Sequence, residues 1–139
     1  FTSYNGDTSF AKTNVPSDVF EGTWSCKMTL QDTFPTGESI SVNPFNLPSE
    51  RISYMELNYK SEIPFIIKLQ ITQFGAVSTI DLIGVNATTN WNKIYLNLGS
   101  YGASFQNSSF KTIFQAGLPG GMSSGSVWID NYKIIHFKQ

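Results

Sequence analysis

The feature that most limits what this chain can become is an apolar–polar alternation with a period of two, repeated in about eight short segments. The segments are Trp24–Leu30, Glu38–Val42, Ile52–Tyr59, Phe65–Ile71, Thr79–Val85, Trp91–Leu98, Phe110–Ala116 and Val127–Phe137. Alternation of this kind sends successive side chains to opposite faces of a sheet, so half of each strand is available to a core. Trp24, Cys26, Met28 and Leu30 fall together, as do Met55, Leu57 and Tyr59, and Phe65, Ile67, Leu69 and Ile71. Ile94, Leu96 and Leu98 oppose Lys93, Tyr95 and Asn97. Thr79–Val85 is apolar on both sides and reads as a central strand. No segment carries a long helical stripe, so a sizeable helix is not expected.

Gly, Pro, Asn and Ser clusters separate the segments, which argues for an antiparallel two-sheet sandwich or a barrel. Residues 31–51, with Pro35, Gly37, Pro44 and Pro48, form the longest irregular connection, and residues 99–108 and 117–125 read as loops. Residues 1–19 are polar and without sustained periodicity, so they read as a leader or tether before a single β-sandwich domain over 20–139. At 139 residues the chain suits one domain and needs neither disulfide nor metal to hold a core.

Charge narrows the partners. Nine Lys plus Arg against ten Asp plus Glu give a formal net charge of −1, and the cations are scattered along the sequence rather than clustered. Nucleic acid, whose affinity rests on phosphate contacts, is therefore not an expected partner. The charged fraction is only 14%, with Ser, Thr and Asn covering the remainder of the polar surface, a composition common in secreted β proteins. Cys26 has no second cysteine to pair with, and its position in the alternation reads as a small buried hydrophobe. No apolar run approaches the roughly 20 residues that span a bilayer. A signal peptide, or a lipid anchor on a cysteine upstream, is compatible with a chain that starts at Phe1.

The inventory for catalysis is thin. His136 is the only histidine, which excludes sites built from several. No serine sits in a strand-to-helix elbow. A glycosidase needs only two carboxylates about 5–10 Å apart, and Glu56 with Asp81, both inside strands, is the first pair to consider. Most strand carboxylates face solvent, and the chain reads as non-catalytic. Asp130 and Asn131 interrupt the last strand, either as oxygen ligands for a cation such as calcium or as a β-bulge whose side chains bond local backbone. Aromatics are plentiful: Trp91, Tyr95, Tyr101, Phe105, Trp128 and Tyr132 fall in the C-terminal half near polar loops. Aromatic faces stack on the C–H faces of sugars while amides bond the hydroxyls, so Trp91, Tyr95, Tyr101 and Trp128 are the candidate ligand-binding residues.

Three stretches carry a resemblance: YMELNYKSEIPF (54–65), NWNKIYLNLG (90–99) and FKTIFQAG with GSVWIDNYKI (110–134). Together they resemble galactose-binding-like jelly rolls, as found in carbohydrate-binding modules and in uncharacterised cell-surface lipoproteins of Gram-negative bacteria. The resemblance covers residues 54–137. It implies eight or so antiparallel strands in two sheets, a sugar ligand held by loops or a concave face, and Asp130 as a structural calcium ligand. The function it implies is a non-catalytic cell-surface domain that binds a glycan. The alternative is a structural or assembly domain of a surface lipoprotein that binds protein instead, and a small glycoside hydrolase or lyase is the third reading.

Overall fold

The computed structural model describes residues 1–4 and 9–138. Among these, ten strands form two five-stranded antiparallel sheets. The strands are β1 (Thr2–Ser3), β2 (Phe10–Thr13), β3 (Ser25–Gln31), β4 (Thr36–Ile40), β5 (Ser53–Ser61), β6 (Phe65–Gln73), β7 (Ala76–Val85), β8 (Thr88–Asn97), β9 (Ser109–Gly117) and β10 (Ser124–His136). One sheet has the order β1-β4-β9-β6-β7 and the other β2-β3-β10-β5-β8. We call them the first and second sheets. Setting β1 and β2 aside, the eight segments read from sequence become β3 to β10, and apart from the β6–β7 hairpin consecutive strands alternate between sheets in the interleaved order of a jelly roll.

The period-two pattern explains the core. Met28 and Leu30, Met55 and Leu57, Phe65 to Ile71 at alternate positions, Phe110 and Phe114, and Val127 and Ile129 are all buried between the sheets. Phe65 and Phe114 meet edge-on with ring centroids 6.4 Å apart. Fully burying side chains of this size contributes about 1.5–3 kcal/mol each before entropy is counted.

The structure differs from the sequence expectation at several points. Residues 1–19 contribute β1, paired with β4, and β2, paired with β3, and Phe10 is buried in the core. The Phe10 ring anchors this stretch although its neighbours are polar. Trp24 precedes β3 and is exposed, so it does not continue the Cys26–Leu30 face. β7 is an edge strand, not a central one. A register shift opposite Ile67 and Lys68 adds a residue to β7 there, and places Ile80 and Leu82 against the core while Val77 and Ile83 stay exposed. Finally, Gly99–Ser104 within the expected loop winds into a short helix, α1, which closes on Leu47 and Pro48.

Candidate functional site

The second sheet turns its outer side to solvent through the residues that alternate with the core set. Cross-strand register lines these up in rows. One row holds Lys27, Trp128 and Lys60 on β3, β10 and β5. The next pairs Asp130 with Asn58 and Asn58 with Lys93. A third joins Lys133, Glu56 and Tyr95, and a fourth Ile135, Tyr54 and Asn97. Successive rows lie about 6.6 Å apart, two residues along a strand.

The first two rows are covered. The chain from Val15 to Trp24, which includes a 3₁₀ turn at Pro16–Asp18, lies over them. Asp130 Oδ2 accepts the backbone N–H groups of Phe20 and Glu21 at 2.9 and 3.1 Å. Its Oδ1 accepts Asn131 N–H at 2.7 Å. Asp18 accepts Lys27 Nζ at 3.2 Å, the Asp18 carbonyl accepts Ser25 Oγ–H, and Lys60 Nζ donates to the Ser17 carbonyl at 2.6 Å. The Phe20 ring tilts against Trp91 at 5.6 Å. Trp128 is left 7% exposed, with the Lys27 and Lys60 ammonium groups 5.0 and 4.4 Å from its ring centroid. Burial pushes the Asp18 carboxyl up, but its contacts with Trp128 and Lys27 and the charge of Lys60 outweigh that and hold it below the usual carboxylate value. The Trp128 Nε1–H helps keep that charge without reaching full hydrogen-bond geometry.

The last two rows are open. Tyr95 is 58% exposed. Glu56, sunk between its neighbours, accepts Lys93 Nζ at 2.8 Å and faces Lys133 Nζ at 4.0 Å. Lys93 Nζ also lies 5.3 Å from the Tyr95 ring centroid. The hydrogen bond from Lys93, against some desolvation, holds the Glu56 carboxyl below its usual value, and reciprocally Glu56 and then Tyr95 raise Lys93. Tyr54 stands diagonal to Tyr95 across β5 and β8, and Phe137 meets Tyr54 edge-on at 5.7 Å. The face therefore carries exposed rings beside amide and charged side chains.

Of the four ligand-binding candidates read from sequence, Trp91, Tyr95 and Trp128 share this face, with Trp91 half-buried beside Phe20 and Trp128 beneath the covering segment. Tyr101 sits on α1 at the end of the sandwich, packed against the core. Sequence reasoning missed Tyr54, Phe137 and Phe20, whose places depend on register and chain crossing rather than on local pattern. Glu56 and Asp81 face outward on different sheets, and Asp81 pairs with Lys68 at 3.6 Å, so the two acids share no cleft. His136 Nδ1 bonds Ser53 Oγ at 2.8 Å.

Asp130 and Asn131 form a β-bulge, with Asn131 at φ 51° and a register shift between Asp130 and Lys133. Three backbone N–H donors are turned on the Asp130 carboxylate, and the Asn131 amide donates to Glu21 at 2.8 Å. That is the reverse of a calcium cage, which needs six to eight converging oxygens. Among the described residues no three His, Cys, Asp or Glu side chains group to hold a metal ion. The donor set does not fit calcium. Elsewhere, a recess of about 610 Å³ lies between Asn46, Ser49, Thr72, Gln106 and Asn107, with no aromatic ring in its lining.

The comparisons with known proteins fall on the same architecture. No family model matches the chain, and no curated protein matches it. Solved structures do. A family 30 carbohydrate-binding module aligns with a TM-score of 0.65 at 17% identity, over 98% of this chain and 91% of the module. A family 61 carbohydrate-binding module in complex with β-1,4-galactotriose aligns with a TM-score of 0.65 at 12% identity, over 97% and 87%. The chain shares its two-sheet β-sandwich fold with these modules. The enzymatically active domain of a bacteriophage CBA120 tailspike protein also aligns, with a TM-score of 0.64 at 10% identity, over 98% of this chain but 19% of that one. The module-like fold thus also occurs as a small part of a larger enzyme. Among the described residues no helix is long and apolar enough to cross a membrane.

Proposed function

We propose that this domain is a non-catalytic glycan-binding module, and that its ligand lies on the open rows of the second sheet. The observation that carries the reading is Tyr95, exposed on β8 with Tyr54 diagonal to it, Phe137 against Tyr54, and hydrogen-bonding groups in the adjoining positions. A sugar ring laid on Tyr95 uses the aromatic face for its C–H side and the Lys93 ammonium and Asn97 amide for its hydroxyls. Trp91 extends the contact along β8. The solved modules of this fold support the class of ligand, and the hydroxyl-rich, low-charge composition supports an extracytoplasmic setting such as the cell surface or the secreted fraction.

The test is affinity gel electrophoresis against a panel of soluble polysaccharides, followed by calorimetry on the strongest. Retardation by at least one polysaccharide is expected, and Tyr95→Ala weakens it about tenfold or more, the equivalent of one lost stacking contact. A folded wild-type domain that no glycan retards defeats the proposal. A second reading, an assembly domain that binds protein, draws on β7, a ten-residue edge strand with Val77 and Ile83 exposed. It predicts that β7 substitutions, and not Tyr95→Ala, abolish binding to a surface partner.

A further inference from the structure

We infer that the ligand of the open face is an anionic glycan, one carrying carboxylate groups, rather than a neutral one; this rests on the glycan-binding reading above. The open half presents two ammonium groups, Lys133 from its own rows and Lys93 reaching in from the exposed end of the neighbouring row, against one carboxylate, Glu56. Their exposures differ in the direction that matters. The Glu56 side chain is 11% exposed, while those of Lys93 and Lys133 are 41% and 59% exposed. Glu56 is already matched by Lys93 at 2.8 Å, so Lys133, at 4.0 Å and in a mostly solvated position, keeps most of its charge for an incoming group. What a ligand meets from solvent is therefore positive, on a chain whose net charge is −1.

The surroundings extend this field along the track. Asn97, at the end of the Tyr95 strand, lines a groove of about 380 Å³ with exposed Arg51, Ser49, Glu50, Ile52 and Ser100. Glu50 offsets part of the Arg51 charge there. The acids of the covered side, Asp18, Asp130 and Glu21, are tied to Lys27, to backbone N–H groups and to Asn131 respectively. By contrast, the outer side of the first sheet sets Lys68 and Lys111 against Asp81 and Glu38, with no excess. A uronic-acid ring on Tyr95 directs its carboxylate into the space between Lys93 and Lys133, whose strands lie on either side of Glu56. Charge-assisted hydrogen bonds there replace ones to water and discriminate by charge.

The experiment uses matched probes: oligogalacturonate and oligomannuronate, each beside its fully methyl-esterified form, with β-1,4-galactan as the neutral polymer. Binding is measured by calorimetry at about 20 and about 300 mM sodium chloride, either side of the salt range where screening of surface charge sets in. At least one acid form is expected to bind about fivefold to tenfold more tightly than its ester, the scale of a single screened unit-charge contact, and to weaken with salt. Lys133→Gln, at an exposed position, is expected to remove most of that preference, bringing acid and ester to within about twofold of each other. Equal binding of acid and ester, or binding to neutral polymers alone, overturns the charge inference and leaves the glycan-binding proposal standing. Binding to no glycan by folded protein overturns both.

Discussion

The two halves of the outer side of the second sheet are built from the same strands and put to opposite uses. Around Trp128, Asp130 and Asn58, the Val15–Trp24 segment crosses the sheet and gives Asp130, Lys27 and Lys60 protein partners. Around Glu56, Tyr95 and Tyr54, no segment among the described residues crosses, and the Tyr95 ring and the ammonium groups stay accessible. Both halves hold aromatics and Lys–carboxylate pairs, so composition does not distinguish a covered surface from a binding surface. What does is whether a distant segment comes back over it.

That contrast predicts that substitutions in the covered half cost stability and those in the open half cost binding. Asp130→Ala should be the severest, because it strips the acceptor from three backbone N–H groups at once. A loss of about 3 kcal/mol in chemical denaturation is expected, along with new protease sensitivity between residues 15 and 24. Unchanged stability would mean that the cover is not held as described. Asp18→Asn should cost about 1–2 kcal/mol at neutral pH, since it weakens the contacts to Lys27.

The pH dependence sharpens the same comparison. Asp18 and Glu56 both have carboxyl values lowered in the folded protein, so each adds stability that is complete above the unfolded-state value and lost as pH falls through the folded one. The penalty of Asp18→Asn should therefore shrink on acidification until variant and wild type unfold together. A penalty that persists in acid would assign Asp18 a role other than its charge. Tyr95→Ala should change stability by no more than about 0.5 kcal/mol while it weakens binding about tenfold or more. Lys133→Gln should be the mildest, within about 0.3 kcal/mol in denaturation, because an exposed ammonium at 4.0 Å from its partner contributes little. A large stability effect from either of the last two would break the distinction between the halves.

Much of the fold was legible in the sequence, because alternation in β3, β5, β6, β9 and β10 directly encodes which side chains face the core. Where legibility failed, the missing information was non-local. Val127-Trp128-Ile129-Asp130 alternates inward and outward as expected, yet all four are buried, because the covering segment hides Trp128 and Asp130 from the other side. β2 offers only Phe10 as an apolar signal, too little for a periodic reading. In β7 the extra residue at the bulge breaks the phase, so its exposed apolar side looked like a second buried one. The candidate site divided in the same way. Trp91 and Tyr95 could be placed on one face by counting along a single strand, whereas Tyr54 and Phe137 join them only through register between strands.

The short stretches that carry β1 and β2 hold a position whose cost of loss is shared. β1 caps the rim of one sheet and β2 the rim of the other, on the same side of the sandwich, and Phe1 wedges between Phe10, Phe114 and Tyr132 where the two rims meet. Trimming or peeling those short stretches would leave β3 and β4 as two raw, neighbouring margins at once, each with unsatisfied backbone groups ready to recruit another chain. The seam is thus also where self-association of this domain should begin.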